Sequence, residues 1–582
     1  MTRPVPDPVA PRRTARSVRG RLAALAAAVV VGPLAACASI PTSGPVMEGE
    51  AVVSQPGPVF VRADAPREDA PPDQIVRGFL AAQAQGASSS FDVATQYLTP
   101  ATATTWSPLA QVAVLEAEPE LEVDDSAVDQ GAVTVRATAE VVGVVDERGV
   151  YTEQVPGTTT ELVYGLVRGA DGQWRIETTD DGLAISATNF DLTYRSTNLY
   201  FPTVDRRYLV PDQRWFPKRN WQTLAVRETL AGPAPWLAGS VTTVAPEGTA
   251  LSIDSVTVES GVLPIEVRLT EPVAETSPED RGLLVAQLEA SLGDPSPRDV
   301  DISVNGATLA PGVPSSARAA ATANDPVVLA GDQVLSLVGR ATEPVESVAP
   351  LTELQPTALA FTGASADATY VVRDGSDRLV TAPTAETEPA TLLTGEDLLA
   401  PSVDRFGLVW SGPQVQDGTL QVTDVEGTVT EVAAPWLDDR TVMSLRVAPD
   451  GARIAVVSAT ATGVHVHVAG IVRGEDDRPT ELSDPVRVGQ PLVAATQVVW
   501  VDRALLGVLG RSEGDSDPVV HLVPVGGPTR KASPLEDAVS LAAGTGIGTM
   551  LVGTSDGSLY SAGSSSLWTR VATEVRLPTY PG

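Results

Sequence analysis

The chain of 582 residues has one cysteine, Cys37. No intramolecular disulfide can form, so stability has to come from buried cores, although exported proteins often use disulfides. Lysine is almost missing. Lys218 and Lys531 are the only two, and the remaining basic side chains are arginines. Forty basic residues face 73 acidic ones, for a formal net charge of −33. A polyanion of this kind is excluded as a nucleic-acid partner, because neutralising phosphates takes a basic surface. It cannot adhere to anionic headgroups by charge either. There are only three histidines, His465, His467 and His521, which limits imidazole chemistry to those places. No long apolar run is present: Leu22–Ala36 is interrupted by Gly32-Pro33 and falls short of the roughly 20 residues a spanning helix needs.

That short run is informative for what surrounds it. Arg3, Arg12, Arg13, Arg16, Arg19 and Arg21 precede it, and small residues close it. A basic start, an apolar centre and small residues at the end describe a secretory signal over residues 1–36. Arg12-Arg13 could belong to a twin-arginine export signal, but "APRRTAR" fits that poorly and the general route is expected. The end, Leu34-Ala35-Ala36-Cys37, resembles the lipobox of bacterial lipoproteins. That resemblance implies recognition of Leu34, Ala35 and Ala36 by a signal peptidase. It also implies S-diacylglycerol on Cys37, with acyl chains such as palmitate, and N-acylation of the freed amine. A thiolate is the one side chain that is a good nucleophile near neutral pH. Each buried CH₂ is worth about 0.8 kcal/mol, and two or more chains hold stably where one does not. Without residues 1–36 the net charge falls to about −38, so the lipid would do the anchoring.

Beyond Cys37, residues 37–72 are rich in Pro, Gly and acids without periodicity, and read as a tether. From Asp73 the pattern is helical, with Ile75, Val76, Phe79, Leu80 and Ala82 on one face. A second helix is expected from Phe91 to Leu98, ending before Pro100. Strand patterns follow from Ala132, Thr160 and Gln173, with Ala170–Gly172 as a turn. Helices followed by strands predict an α+β domain over 73–195, whose order is similar to the NTF2-like fold. Some members of that fold are enzymes and others only bind; no convergent His or Asp set favours catalysis.

Residues 196–312 open with aromatic strand material. "NWQTLAVRETLAGP" predicts a helix with Leu224 and Leu230 on its apolar side, stopped by Gly232-Pro233. Leu263, Ile265, Val267 and Leu269 alternate as a half-buried strand. Ser277 caps a helix with Pro278 at its first position and Leu284, Leu288 and Leu292 on its core face. Val300, Ile302 and Val304 form a strand ending in an Asn-Gly turn. "YFPTVDRRYLVP", "RETLAGP", "PEGTALSIDSVTV" and "DISVNG" resemble the α/β GerMN domain, and no catalytic residue is implied.

Over 320–582 helical periodicity fades and short strands recur. Leu359, Val403, Val447, Val499 and Leu541 hold equivalent places at separations of 44, 44, 52 and 42 residues. Such a period with several strands per repeat predicts an all-β propeller of about six blades. Val327–Gly339 is expected to supply a further blade or the strand that closes the ring. "APDG" at Ala448 and "TSDGS" at Thr554 read as turns.

No catalytic, cofactor or metal site is expected. His465 and His467 alternate and share one face of a strand. They could hold a metal if a third ligand arrived; otherwise they lie on a solvated face, which is the expectation. No Gly-x-Ser-x-Gly elbow accompanies a strand and helix, and "GTGIG" at Gly544 lacks the lysine and helix of a nucleotide loop.

The lipobox, the NTF2-like region, the GerMN phrases and the C-terminal propeller, in that order, resemble the LpqB family of actinobacterial lipoproteins along the whole chain. The resemblance implies a protein lipid-anchored on the extracytoplasmic face of the plasma membrane. It further implies a non-enzymatic accessory of the MtrA–MtrB two-component system, with an MtrB-like sensor histidine kinase as partner and a link to envelope homeostasis and division. The alternative is an exported cell-wall glycan-binding protein or hydrolase using the propeller. Intact mass and membrane partitioning, wild type beside Cys37→Ala, test the anchor. The expected result is an acyl mass gain in the wild type that disappears, with release from the membrane, in the variant.

Overall fold

A computed structural model describes residues 63–256, 264–293, 298–363, 368–563 and 567–582. Cys37 and Leu34, Ala35 and Ala36 lie outside the described residues. The described chain is mostly β, with few helices, and has separate cores along its length. No described helix is long and apolar enough to cross a membrane.

The first core forms where the helix Pro72–Ser88 buries Ile75, Val76, Phe79 and Leu80 against a sheet. Proline at its first turn loses no hydrogen bond, because that N–H has no intrahelical partner. Gly78 and Gly86 stand in the helix where rings lie on it. A Cβ at Gly78 would meet the Tyr97 hydroxyl at 2.4 Å, and one at Gly86 would meet the Phe91 ring at 2.1 Å. The long strand Ala132–Asp146 organises the sheet. Its first half pairs with Thr159–Arg168 and its second half with Gln111–Leu115 and Tyr151–Glu153. Phe79 meets Trp106 at 5.3 Å and Tyr164 edge-on at 6.1 Å, so aromatic rings fill the space between helix and sheet.

Two local expectations change. The segment after Phe91 is helical only over Asp92–Thr95, and Pro100 starts a helix, Pro100–Thr105, rather than closing one. The reason is Thr99, whose hydroxyl accepts the Thr102 N–H at 3.3 Å and caps the new helix. The tether also ends early. The Tyr97 hydroxyl donates to the Asp64 carbonyl at 2.7 Å and Ala70 is buried, so packing begins before residue 73.

In the middle region Tyr194–Pro202 and Tyr208–Pro217 pair antiparallel along their whole length. Ile265–Leu269 and Val300–Val304 pair in parallel, joined by the helix Pro278–Leu292 as crossover. Ser277 caps that helix, accepting the Asp280 N–H at 3.0 Å. Leu284, Leu288 and Leu292 enter the core, as their spacing requires. A Cβ on Gly282 would stand 1.7 Å from the Val313 carbonyl oxygen, so only glycine lets the following loop lie on this helix. Asn305 and Gly306 both take positive φ in the turn to Ala307–Thr308.

The C-terminal region consists of six strand runs: four form four-stranded sheets, and the other two join through a parallel bridge of Ala433 with Glu481, together with the extra strand Val486–Val488, into one sheet of nine. Pro356–Phe361, Ser402–Val403, Thr441–Val447, Leu492–Asp502 and Ala538–Ala542 begin five of them. In the sixth, Val327–Ala330 pairs antiparallel with Arg576–Thr579 from the other end of the region. This contact joins first and last strands and covers an edge that would otherwise expose unpaired N–H and C=O groups. Leu329 is fully buried beside it and Val338 is mostly exposed at 72%. Leu329→Ala is expected to destabilise the region by about 2–5 kcal/mol. Val338→Ala should stay within about 0.5 kcal/mol, both measured by urea denaturation followed by tryptophan fluorescence.

Candidate functional site

The middle and C-terminal regions meet through arginines placed by turns. The turn at Arg405 sends its guanidinium to Asp205 at 2.8 Å, while its Nε donates to the Asp450 carbonyl at 2.7 Å. The same guanidinium lies 3.9 Å from the Phe406 ring and 5.0 Å from Tyr208. Arg473 covers Phe406 at 4.1 Å and donates to Asp404 at 2.7 Å. Phe406 thus contacts two cations, each held by its own carboxylate. The Ala448–Gly451 turn does more than reverse the chain. Asp450 takes two bonds from Arg453, at 3.0 and 2.6 Å, and Arg453 reaches the Arg503 carbonyl at 2.7 Å.

The first region is tied in as well. Glu153 accepts the Thr529 N–H at 2.7 Å, the Thr529 hydroxyl at 2.8 Å and the Gln490 N–H at 3.0 Å. Burial raises its carboxyl, and these bonds oppose the rise. Trp215 Nε1 donates to the Gly526 carbonyl at 2.8 Å.

Between the middle region and the turn at Asp502–Leu505 lies a cleft of about 900 Å³. Ser196, Asn198, Glu289, Arg318, Asp502 and Arg503 are among its walls. Burial, and secondarily Asp299, raises the Glu289 carboxyl, against a long bond of 3.4 Å from the Val300 N–H. A smaller cavity of about 270 Å³ opens where the first strands of the strand runs converge. Val403, Val447, Val499 and Leu541, four of the five equivalent positions in the repeat, line it. Beside them Arg446 donates to the carbonyls of Leu445 at 2.9 Å and Pro401 at 3.2 Å. Burial, then Arg373, pushes its guanidinium down to about 10.

The histidines depart from expectation. His467 is buried, not solvated, with its ring 5.3 Å from Trp436 and 5.9 Å from His465. Burial, then Arg440, His465 and Arg487, pushes its imidazole down to about 3. The alternation places both histidines on one face, but that face is covered by the turn carrying Trp436. Among the described residues no group of three His, Cys, Asp or Glu side chains is disposed to hold a metal. His521 sits near Ser512 and Asp515, at 3.5 and 3.9 Å from Nε2. The order is wrong for a hydrolytic triad. Nδ1 faces the Val519 carbonyl at 3.0 Å, and the Ser512 hydroxyl donates to Asp515 at 2.8 Å. Arg440, Arg487, Arg446 and Glu289 carried no local signal, because each gains its surroundings from strands or helices distant in sequence.

The described chain is mostly β, and its C-terminal part repeats antiparallel runs of short strands in the manner of a β-propeller. Residues 332–581 match the Lipoprotein LpqB beta-propeller domain, and residues 65–191 match the Lipoprotein LpqB, N-terminal domain. Among similar proteins, Lipoprotein LpqB of Bifidobacterium longum (strain NCC 2705) is 27% identical over 84% of this chain and 83% of its own. Those of Thermobifida fusca (strain YX) and Streptomyces coelicolor (strain ATCC BAA-471 / A3(2) / M145) are 27% and 28% identical, over 96% and 94% of this chain and 99% and 96% of theirs. The chain belongs to the LpqB lipoprotein family.

The clamp has a pH signature. Burial pushes the Asp205 carboxyl up, but the Thr203 hydroxyl and the Arg405 guanidinium outweigh it and hold it below the usual range. A depressed folded value means its stabilisation is complete at neutral pH. It begins to fade as pH drops below the unfolded value of about 3.9, and is gone below the folded one. Asp205→Asn and Arg405→Ala are each expected to loosen the docking by about 1–3 kcal/mol. Hydrogen exchange at the Thr203 and Asp404 amides, which close the two facing turns, measures it.

Proposed function

We propose that this protein works by binding, as a non-enzymatic accessory lipoprotein held at the extracytoplasmic face of the plasma membrane through acylated Cys37. Its partner in this reading is the extracytoplasmic domain of an MtrB-like sensor histidine kinase. The observation that carries the reading is membership of the LpqB lipoprotein family along nearly the full chain. The clamp supports it, since the partly buried Arg405–Asp205 pair serves to hold one region against another. In this reading the first region is an NTF2-like domain whose interior is taken up by aromatic rings. The middle region is a GerMN domain built on the parallel pair and its crossover helix. The six strand runs, two of them joined in the nine-stranded sheet, are six blades, closed by the pairing of Val327–Ala330 with Arg576–Thr579.

Physically, a lipid confines the body to the plane of its partners and raises effective concentration without any new contact. Regulation then requires that one signalling state of the kinase be bound better than the other. A second reading, a cell-wall glycan-binding protein or hydrolase, draws on the half-buried Glu289 in the large cleft, whose carboxyl is raised. Titration of the full-length chain against the kinase's extracytoplasmic domain in detergent decides between them. The expected outcome is a weak complex, with Kd on the order of micromolar, that Glu289→Gln leaves intact. Absence of a complex, together with glycan binding or cleavage lost in Glu289→Gln, would replace the first reading by the second.

A further inference from the structure

A third polar cluster lies apart from the clamps and the two cavities. Cross-strand register sets Ser458 opposite His465, and His467 opposite Arg487. Residues paired across strands project to the same face, so these four side chains share one side of the sheet. The turn Pro435–Leu437 lays Trp436 over His467, and Arg440 Nε donates to the Trp436 carbonyl at 2.7 Å. Two guanidiniums, two imidazoles, an indole and a hydroxyl are thus gathered on this side of the sheet.

Their hydrogen bonding is incomplete in a consistent way. Trp436 Nε1, Arg440 Nη1, Ser458 Oγ, His467 Nδ1 and Arg487 Nε are buried without a partner. Ser458 is fully buried and His467 is 7% exposed. Among the described residues neither Arg440 nor Arg487 has a carboxylate within 4.0 Å. Arg214, Arg453 and Arg473 are each paired with an aspartate, and Arg446 donates to two carbonyls. Buried polar groups are nearly always hydrogen-bonded, and cations gathered without a counter-ion repel one another. Burial and its cationic neighbours alike depress His467, and no carboxylate opposes them. Guanidiniums and an indole N–H are donors with no lone pair to offer a cation. As fixed donors they match the oxygens of a tetrahedral anion.

We propose that the cluster of Trp436, Arg440, Ser458, His465, His467 and Arg487 binds a phosphate-class oxyanion. The anion accepts from both guanidiniums, the indole N–H and the hydroxyl, and supplies the negative charge that the cluster lacks. The phosphate can be free or the headgroup of a lipid, and the chemistry of recognition is the same.

The three histidines make the test direct. The full-length chain in a zwitterionic detergent, labelled with ¹³C at its histidines, is titrated with inorganic phosphate at constant ionic strength. The expected result is saturable movement of the His465 and His467 resonances, with His521 unmoved. Arg487→Gln, at a half-buried position, is expected to weaken binding by about tenfold or more, and Arg487→Lys by less. Unchanged His465 and His467 resonances at tens of millimolar phosphate (roughly the ceiling for a specific oxyanion site) overturn the proposal. So does a titration that Arg440→Gln and Arg487→Gln together leave unaltered. Vesicles of phosphatidylcholine with and without phosphatidic acid, read by the same resonances, separate the sources. Movement with phosphatidic acid vesicles assigns the site to a headgroup, and movement with inorganic phosphate alone assigns it to a soluble phosphate.

Discussion

Phe406, with a guanidinium on each side, is the contact on which the relation between the middle and C-terminal regions rests. Arg405 reaches Asp205 in the middle region, and Arg473 reaches Asp404 in its own region. A buried charge is costly alone and tolerable only when paired and hydrogen-bonded. Each cation here therefore requires its carboxylate, and each carboxylate lies in a tight turn. Asp404 takes bonds from the Phe406 and Leu408 amides and from Trp410 Nε1 in addition to Arg473. Geometry of that kind tolerates little sliding, so the two regions meet in one register.

The same logic extends to Asp450 and Arg453, which tie a turn in the C-terminal region to the Asp502–Leu505 turn that walls the large cleft. The cleft is a consequence of the docking rather than of either region alone. Its walls come from two strands, a crossover helix, the segment around Arg318 and a turn about three hundred residues beyond the first strand, which is why no motif announces it. The charged groups that hold regions together and those left without partners are also distinct. The first come as cation–carboxylate pairs, and among the described residues the two guanidiniums of the cluster around His467 have no carboxylate partner.

Much of the local structure was legible. Leu284, Leu288 and Leu292 belong to one helical face, and Val300, Ile302 and Val304 to one strand, because burial on one side leaves a period in the residues themselves. The repeat positions Val403, Val447, Val499 and Leu541 proved to line one cavity, since equivalent strands in a ring occupy equivalent radii. Pro100 misled because a proline that cannot continue one helix can begin another when a capping threonine precedes it. His467 misled for a different reason. Alternation tells which side of a strand a residue takes, but not which side another element covers.

The residues alone determined the periodicities, the caps and turns, the repeat, and the excess of acid over lysine and cysteine. All of these depend on neighbours a few positions away or on composition. Only the tertiary structure decided that Val327–Ala330 meets Arg576–Thr579, that Arg405 finds Asp205, and that Arg440 and Arg487 flank His467 without a carboxylate. Those outcomes depend on how strands far apart in sequence are brought to one place. The energy of a charge is set by what surrounds it in space, and the order of residues along the chain does not record that.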